Sequence, residues 1–77
     1  MASFDSRELI RTIKASGYKM NYIAGKLNIS AVAFRNKLSG KSDFKLSEVQ
    51  MLVFILDLDA DKAVSIFLTT MFRNREQ

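Results

Sequence analysis

Apolar residues recur three and four positions apart in five short stretches of this chain, and no stretch alternates between apolar and polar residues. The first spacing is typical of an α-helix that buries one face, whereas alternation would indicate a β-strand. The chain also lacks proline, which would interrupt a helix. The sequence therefore predicts an all-α fold of five helices, over residues 6–16, 20–27, 31–39, 47–57 and 60–72.

Glycine, asparagine and capping residues mark the predicted helix ends. Gly17 and Gly40 each follow a periodic segment, where a left-handed residue commonly ends a helix. Asn28 accepts the same backbone conformation and is predicted to turn the chain between the second and third helices. Ser30 and Asp59 are predicted to cap the third and fifth helices.

The composition excludes several kinds of protein. A chain of 77 residues holds one domain, here residues 1–77, with a modest core and little room for a catalytic cleft. It has no cysteine and no histidine, which excludes disulfides, zinc-finger ligation and an imidazole base. The run Asp57–Asp61 resembles the start of a calcium loop, but Lys62 and Leu68 occupy the places of its glycine and glutamate. We therefore expect no enzyme, no metal and no cofactor.

The sequence carries no membrane or secretion signal. Its longest apolar run, Met51–Leu56, is far shorter than the roughly 18 residues of a membrane span. The N-terminal residues lack the basic and then apolar pattern of a signal peptide. These features predict a soluble cytoplasmic protein with no membrane partner.

Positive charge is concentrated in the middle of the chain. The net charge is +4, and residues 19–45 contain six lysines or arginines and one aspartate. A basic stretch of this kind is typical of a protein that binds a polyanion, although scattered solvated lysines would give the same count.

The most informative segment is Met20–Gly40, two short predicted helices joined by a tight turn. Ala24 supplies a small side chain where the two helices cross, and Ile29 and Phe34 close the crossing from the other side. This arrangement leaves one face of the third helix projecting from the body. A projecting helix fits the major groove of DNA, which is about 12 Å wide.

These residues resemble the Xre family, the DNA-binding domains of Cro and cI repressors, and most closely the small phage regulators of Gram-positive hosts. The resemblance is carried by Ile23-Ala24, by Leu27-Asn28-Ile29-Ser30 and by the run from Phe34 to Lys41, and it extends from Glu8 to about Phe67. It implies a five-helix lambda-repressor-like fold with a helix-turn-helix formed by the second and third helices. The implied function is a transcriptional regulator of a phage or mobile element that binds a double-stranded DNA operator in a bacterial cell.

The resemblance also implies roles for individual residues. Arg35 is the strongest candidate for a bidentate contact to guanine. The predicted base-contacting residues share the helix face opposite Phe34 and Leu38; they are Ser30, Ala31, Val32, Arg35 and Asn36. The predicted phosphate-contacting residues lie at helix ends and in the following loop; they are Lys19, Asn21, Lys37, Lys41 and Lys45.

Two departures from the family pattern leave an alternative open. Met20 stands where relatives usually have glutamine, and we expect it to pack on the core. The run Ala31-Val32-Ala33 offers no hydrogen-bonding groups to bases. An exposed apolar helix would also suit a small antirepressor that binds and masks a phage repressor protein.

The remaining candidates are three apolar residues near the C-terminus and two tyrosines. Relatives bind DNA as dimers, so Phe67, Met71 and Phe72 are expected to contribute to a homodimer interface, with core packing as the alternative. Tyr18 and Tyr22 could stack on bases, but core packing is the prediction for both.

Overall fold

A computed structural model describes residues 4–75, with side chains up to residue 68, and contains five α-helices and no strand in that range. The helices are α1 (Ser6–Ser16), α2 (Met20–Lys26), α3 (Ala31–Leu38), α4 (Leu46–Ile55) and α5 (Ala60–Arg75). The predicted all-α class is confirmed, and α1 has the predicted bounds. No helix in the described range has the length and apolar character that crossing a bilayer requires.

Side-chain caps fix the starts of three helices. The Ser30 hydroxyl accepts a hydrogen bond from the Ala33 amide at 3.0 Å, and the Asp59 carboxylate accepts one from the Lys62 amide at 2.8 Å. Both predicted caps are therefore confirmed. Asp5 caps α1 in the same way by accepting from the Glu8 amide at 3.1 Å. Each cap satisfies an amide that has no partner within its helix.

Left-handed residues end α2, α3 and α4. The φ angles of Asn28, Gly40 and Asp57 are 62°, 88° and 53°. After each helix two amides turn back onto carbonyls of its last turn, as Asn28 to Gly25 and Ile29 to Ala24 do after α2. The turn at Asn28 was predicted. The turn at Asp57 was not, because residues 47–57 were predicted to be helical throughout, whereas α4 ends at Ile55.

Replacing Asp57 with glycine is expected to stabilise the protein by about 0.5 kcal/mol, because glycine adopts positive φ without steric cost. The change also removes a negative charge from the C-terminal end of α4, where the helix dipole disfavours it. Urea denaturation of both proteins measures the difference. Asp57→Ala serves as the control and should destabilise, and a loss of stability in Asp57→Gly would contradict the prediction.

The core is built around four phenylalanines. Phe34 of α3, Phe44 of the loop before α4 and Phe67 of α5 are almost completely buried, and Phe4 joins them from the N-terminal side. Phe44 lies at the centre, with its ring centroid 5.1 Å from that of Phe4 and 6.2 Å from those of Phe34 and Phe67. The sequence had not predicted core positions for Phe4 and Phe44, because both lie outside the periodic helical segments.

The predicted interface role of Phe67 is wrong. Its side chain has an exposed fraction of 0% and belongs to the core of the chain itself, so it has no surface to offer a partner. Met71 and Phe72 lie outside the described side chains. Among the described side chains of α5, the exposed large apolar residues are Val64 and Leu68, one helical turn apart.

Gly25 is the penultimate residue of α2, where glycine has a lower helix propensity than alanine. Apart from its chain neighbours and the backbone of its own helix, no atom lies within 4 Å of the place that a Cβ atom would occupy. We therefore expect Gly25→Ala to stabilise the protein by about 0.5–1 kcal/mol, through the higher helix propensity of alanine. Thermal unfolding followed by circular dichroism measures the change. A lower melting temperature would show that this position requires glycine for a reason other than space.

Candidate nucleic-acid interface

The helices α2 and α3 pack directly against each other across the turn at Asn28. Ala24 is 2% exposed at this contact, and Ile23 and Phe34 have no exposed surface. Ile29 is half-buried against the same core, and its amide donates to the Ala24 carbonyl at 3.0 Å. Of the residues predicted to close this crossing, Ala24 and Phe34 are therefore buried and Ile29 is half-buried.

The other face of α3 is open to solvent. Phe34 and Leu38 are buried on the inner side, whereas Arg35 is exposed and Val32 is 60% exposed. Among the other predicted base-contacting residues, Ser30 is exposed, and Ala31 and Asn36 are half-buried. Of the five residues, three are therefore exposed and two half-buried, and none is buried.

A surface groove runs beside this face. It has a volume of about 500 Å³ and brings residues of α3 together with Met20 at the start of α2 and Lys41 in the following loop. Its lining residues are Ile10, Met20, Arg35, Asn36, Leu38, Ser39 and Lys41. Met20 is half-buried against the core, as predicted, and contributes an apolar wall to the groove.

Four of the five predicted phosphate-contacting residues are exposed. Lys19 and Asn21 lie at the N-terminal end of α2, and Lys41 and Lys45 lie in the segment between α3 and α4. Their basic and amide groups are therefore accessible to solvent, and the groove brings Met20, which lies between Lys19 and Asn21, together with Lys41. Within the described residues, no group of three acidic residues could hold a metal ion.

Lys37 differs from the other four, and its prediction as a phosphate contact is corrected. The side chain is only 12% exposed, and its ammonium group lies 3.1 Å from a carboxylate oxygen of Glu48. The ammonium group also donates to the Asp43 carbonyl at 2.9 Å. Lys37 is thus an internal connection between α3, the loop and α4. No local pattern in the sequence indicates this pair, because its members lie on different helices.

Tyr18 and Tyr22 are exposed rather than buried, so their predicted core packing is wrong. Their side chains stack on each other, with ring centroids 5.1 Å apart. The ammonium group of Lys26 lies 5.5 Å from the centre of the Tyr22 ring. Tyr22 and Lys26 are four positions apart on the outer face of α2, and Tyr18 stacks on Tyr22 from the connection before this helix. These contacts cover part of each ring without burying it.

No protein-family model, curated protein or solved structure matches this chain. The function proposed below therefore depends on the geometry of α2, α3 and the following loop, together with the motif resemblance.

Proposed function

We propose that this chain is a sequence-specific DNA-binding transcriptional regulator whose α3 reads the major groove. The observation that supports this most strongly is the division of α3 into a buried side, with Phe34 and Leu38, and an open side carrying Val32 and Arg35. In this proposal α2 and α3 form the helix-turn-helix of a lambda-repressor-like fold of the Xre type.

The dimensions suit this role. An α-helix with its side chains is about 10–12 Å across, and the major groove is about 12 Å wide. The eight residues of α3 are long enough to present successive turns to neighbouring base pairs. Arg35 would donate two hydrogen bonds to a guanine, and Asn36 could bind an adenine. Ala31 and Val32 would contact thymine methyl groups.

Phosphate contacts would hold the helix in register. Lys19 and Asn21 at the start of α2, and Lys41 and Lys45 in the segment between α3 and α4, would bind the DNA backbone. These contacts carry no sequence information, but they supply much of the affinity and make it depend on salt. Lys37 is left out of this set because its charge is paired inside the protein.

The proposal includes a homodimer on a palindromic operator in a bacterial cytoplasm. Two copies of a helix-turn-helix domain bind half-sites about one helical turn apart, so the operator has the symmetry of the dimer. Val64 and Leu68 on α5 are the described apolar residues best placed to contribute, since each is nearly half exposed.

A second candidate is an antirepressor that binds and masks a phage repressor. The observation favouring it is the exposed Val32, with half-buried alanines on each side of it in the first turn of α3. A short apolar surface of this kind suits a protein interface as well as a thymine-rich groove. In this alternative the same face of α3 would bind protein rather than DNA.

Selection of bound duplexes from a random DNA library tests the first candidate against the second. We expect enrichment of a palindrome whose half-sites are centred about 10 base pairs apart. The same selection with Arg35→Ala should enrich a weaker or altered motif. A library that stays random over repeated rounds would contradict the DNA-binding proposal and favour the antirepressor.

A further inference from the structure

We propose that Lys37 and Glu48 form a positioning pair that holds the segment Gly40–Lys45 so that Lys41 and Lys45 face DNA phosphates. This inference rests on the DNA-binding function proposed above. It gives Lys37 a different task from the one its position on α3 suggests, since it acts through the loop and does not touch DNA.

The two charged groups hold the loop at several points. The Lys37 ammonium group binds the Asp43 carbonyl at 2.9 Å and lies 5.9 Å from the centre of the Phe44 ring. The Glu48 oxygen that pairs with Lys37 at 3.1 Å also accepts the Lys45 amide at 2.8 Å. Three consecutive residues, 43 to 45, are therefore attached to one ion pair.

The backbone fixes the other end of the segment. Gly40 takes a left-handed conformation, and its amide donates to the Lys37 carbonyl at 3.1 Å. The Lys41 amide donates to the Asn36 carbonyl at 2.9 Å. Lys41 and Lys45 thus belong to a loop that is bound to α3 at its start and to Glu48 at its end, and both residues are exposed.

Burial separates this pair from an ordinary surface ion pair. The exposed fractions of the Lys37 and Glu48 side chains are 12% and 7%, so both charges have lost most of their water. Well-packed apolar residues could fill such a space without loss of stability, whereas a buried ion pair requires one arrangement of the groups around it. Here the pair specifies the path of the loop that carries two exposed lysines.

The substitution Glu48→Gln tests the proposal, because the proposal and simple charge attraction predict opposite changes in the affinity for DNA. Glutamine keeps an oxygen that can accept the Lys45 amide but removes the negative charge that pairs with Lys37. The net charge of the protein rises by one, so Coulomb attraction alone predicts tighter binding to DNA. Loss of the loop position predicts weaker binding instead. We expect Kd for duplex DNA to rise about 3- to 10-fold, which is within the usual range of interaction energies between residues of one network.

Glu8→Gln is the matched control. Glu8 also forms ion pairs, with Lys62 and with Arg11, but it lies on α1 and contacts no residue of the loop in these pairs. Removing its charge should leave Kd unchanged or slightly lower it. The same 30-base-pair duplex of random sequence is used for all proteins, at one fixed salt concentration, because phosphate contacts do not require a particular sequence.

A coupling measurement shows whether the pair acts through the loop. In the wild-type protein Lys41→Ala should weaken binding, and in the Glu48→Gln background the same change should weaken it less. Lys37→Arg is the second variant, since it keeps the charge but alters the geometry, and it should bind more weakly than the wild type. If thermal melting shows that Glu48→Gln is unfolded, the DNA affinity of Lys37→Arg is used to test the proposal instead.

The outcomes separate the two proposals. A wild-type protein that does not bind the duplex overturns the proposed function. Two results overturn the positioning role alone when the wild-type protein binds the duplex. In the first, Glu48→Gln binds as tightly as Glu8→Gln. In the second, Lys41→Ala weakens binding equally in the wild-type and Glu48→Gln proteins. Weaker binding of folded Glu48→Gln together with reduced sensitivity to Lys41→Ala supports it.

Discussion

Phe44→Ala is expected to destabilise the protein by about 3–5 kcal/mol, the usual cost of removing a buried aromatic ring. Phe44 is 1% exposed, and its ring contacts those of Phe4, Phe34 and Phe67. The change would leave a cavity where α3, α5 and the N-terminal segment meet. Because small domains are stable by about 5–15 kcal/mol, a loss of this size should unfold a large share of the molecules on mild heating.

Urea denaturation at 25 °C measures this loss, and Phe54→Ala provides the control. Phe54 is a phenylalanine of α4, but its exposed fraction is 81%. Removing it should change the free energy of unfolding by less than about 0.5 kcal/mol. Equal effects of the two substitutions would show that Phe44 does not have the central position in the core described above.

Arg35→Ala is expected to remove about 1–3 kcal/mol of discrimination between the selected duplex and a duplex with the contacted guanine replaced. Arg35 is the longest hydrogen-bonding side chain on the open face of α3, and it lines the groove with Asn36 and Lys41. Its loss should affect the specific duplex much more than a random one. Competition titrations with both duplexes measure this difference.

Lys41→Ala should behave differently, because it removes a phosphate contact. We expect weaker binding to all duplexes alike, and a salt dependence whose slope falls by about 1. Arg7→Ala is a charge-matched control at an exposed site near the start of α1. Equal loss of specificity from Arg35→Ala and Lys41→Ala would show that the base-reading and backbone-binding faces were wrongly assigned.

Local signals in the sequence were sufficient to predict most of the helical structure. The bounds of α1 and the caps at Ser30 and Asp59 follow from residue type and helical period alone. The turn at Asn28 follows because asparagine tolerates positive φ, and the structure has this angle at 62°. Asp57 was missed because the apolar pattern runs on to Leu58, so nothing in the period marks the end of α4.

Contacts between different elements could not be predicted in the same way. Lys37 and Glu48 are eleven positions apart and lie on different helices, so neither period nor spacing indicates that they meet. Tyr18 and Tyr22 were predicted to pack in the core because neither lies on a surface built to bind single strands. Ile23 and Ala24 occupy the inner face of α2 instead, and Tyr22 lies on its outer face, where Tyr18 stacks on it. Tertiary packing, which residue type alone does not specify, decides such cases.

The most direct test is a titration of the wild-type protein with the selected duplex and with a scrambled one, each at two salt concentrations. Sequence-specific binding through α3 predicts a Kd for the selected duplex at least about 1,000-fold lower than for the scrambled one. It also predicts weaker binding of both duplexes at the higher salt concentration, since phosphate contacts release counterions. Equal affinity for the two duplexes, or no binding to either, would contradict it.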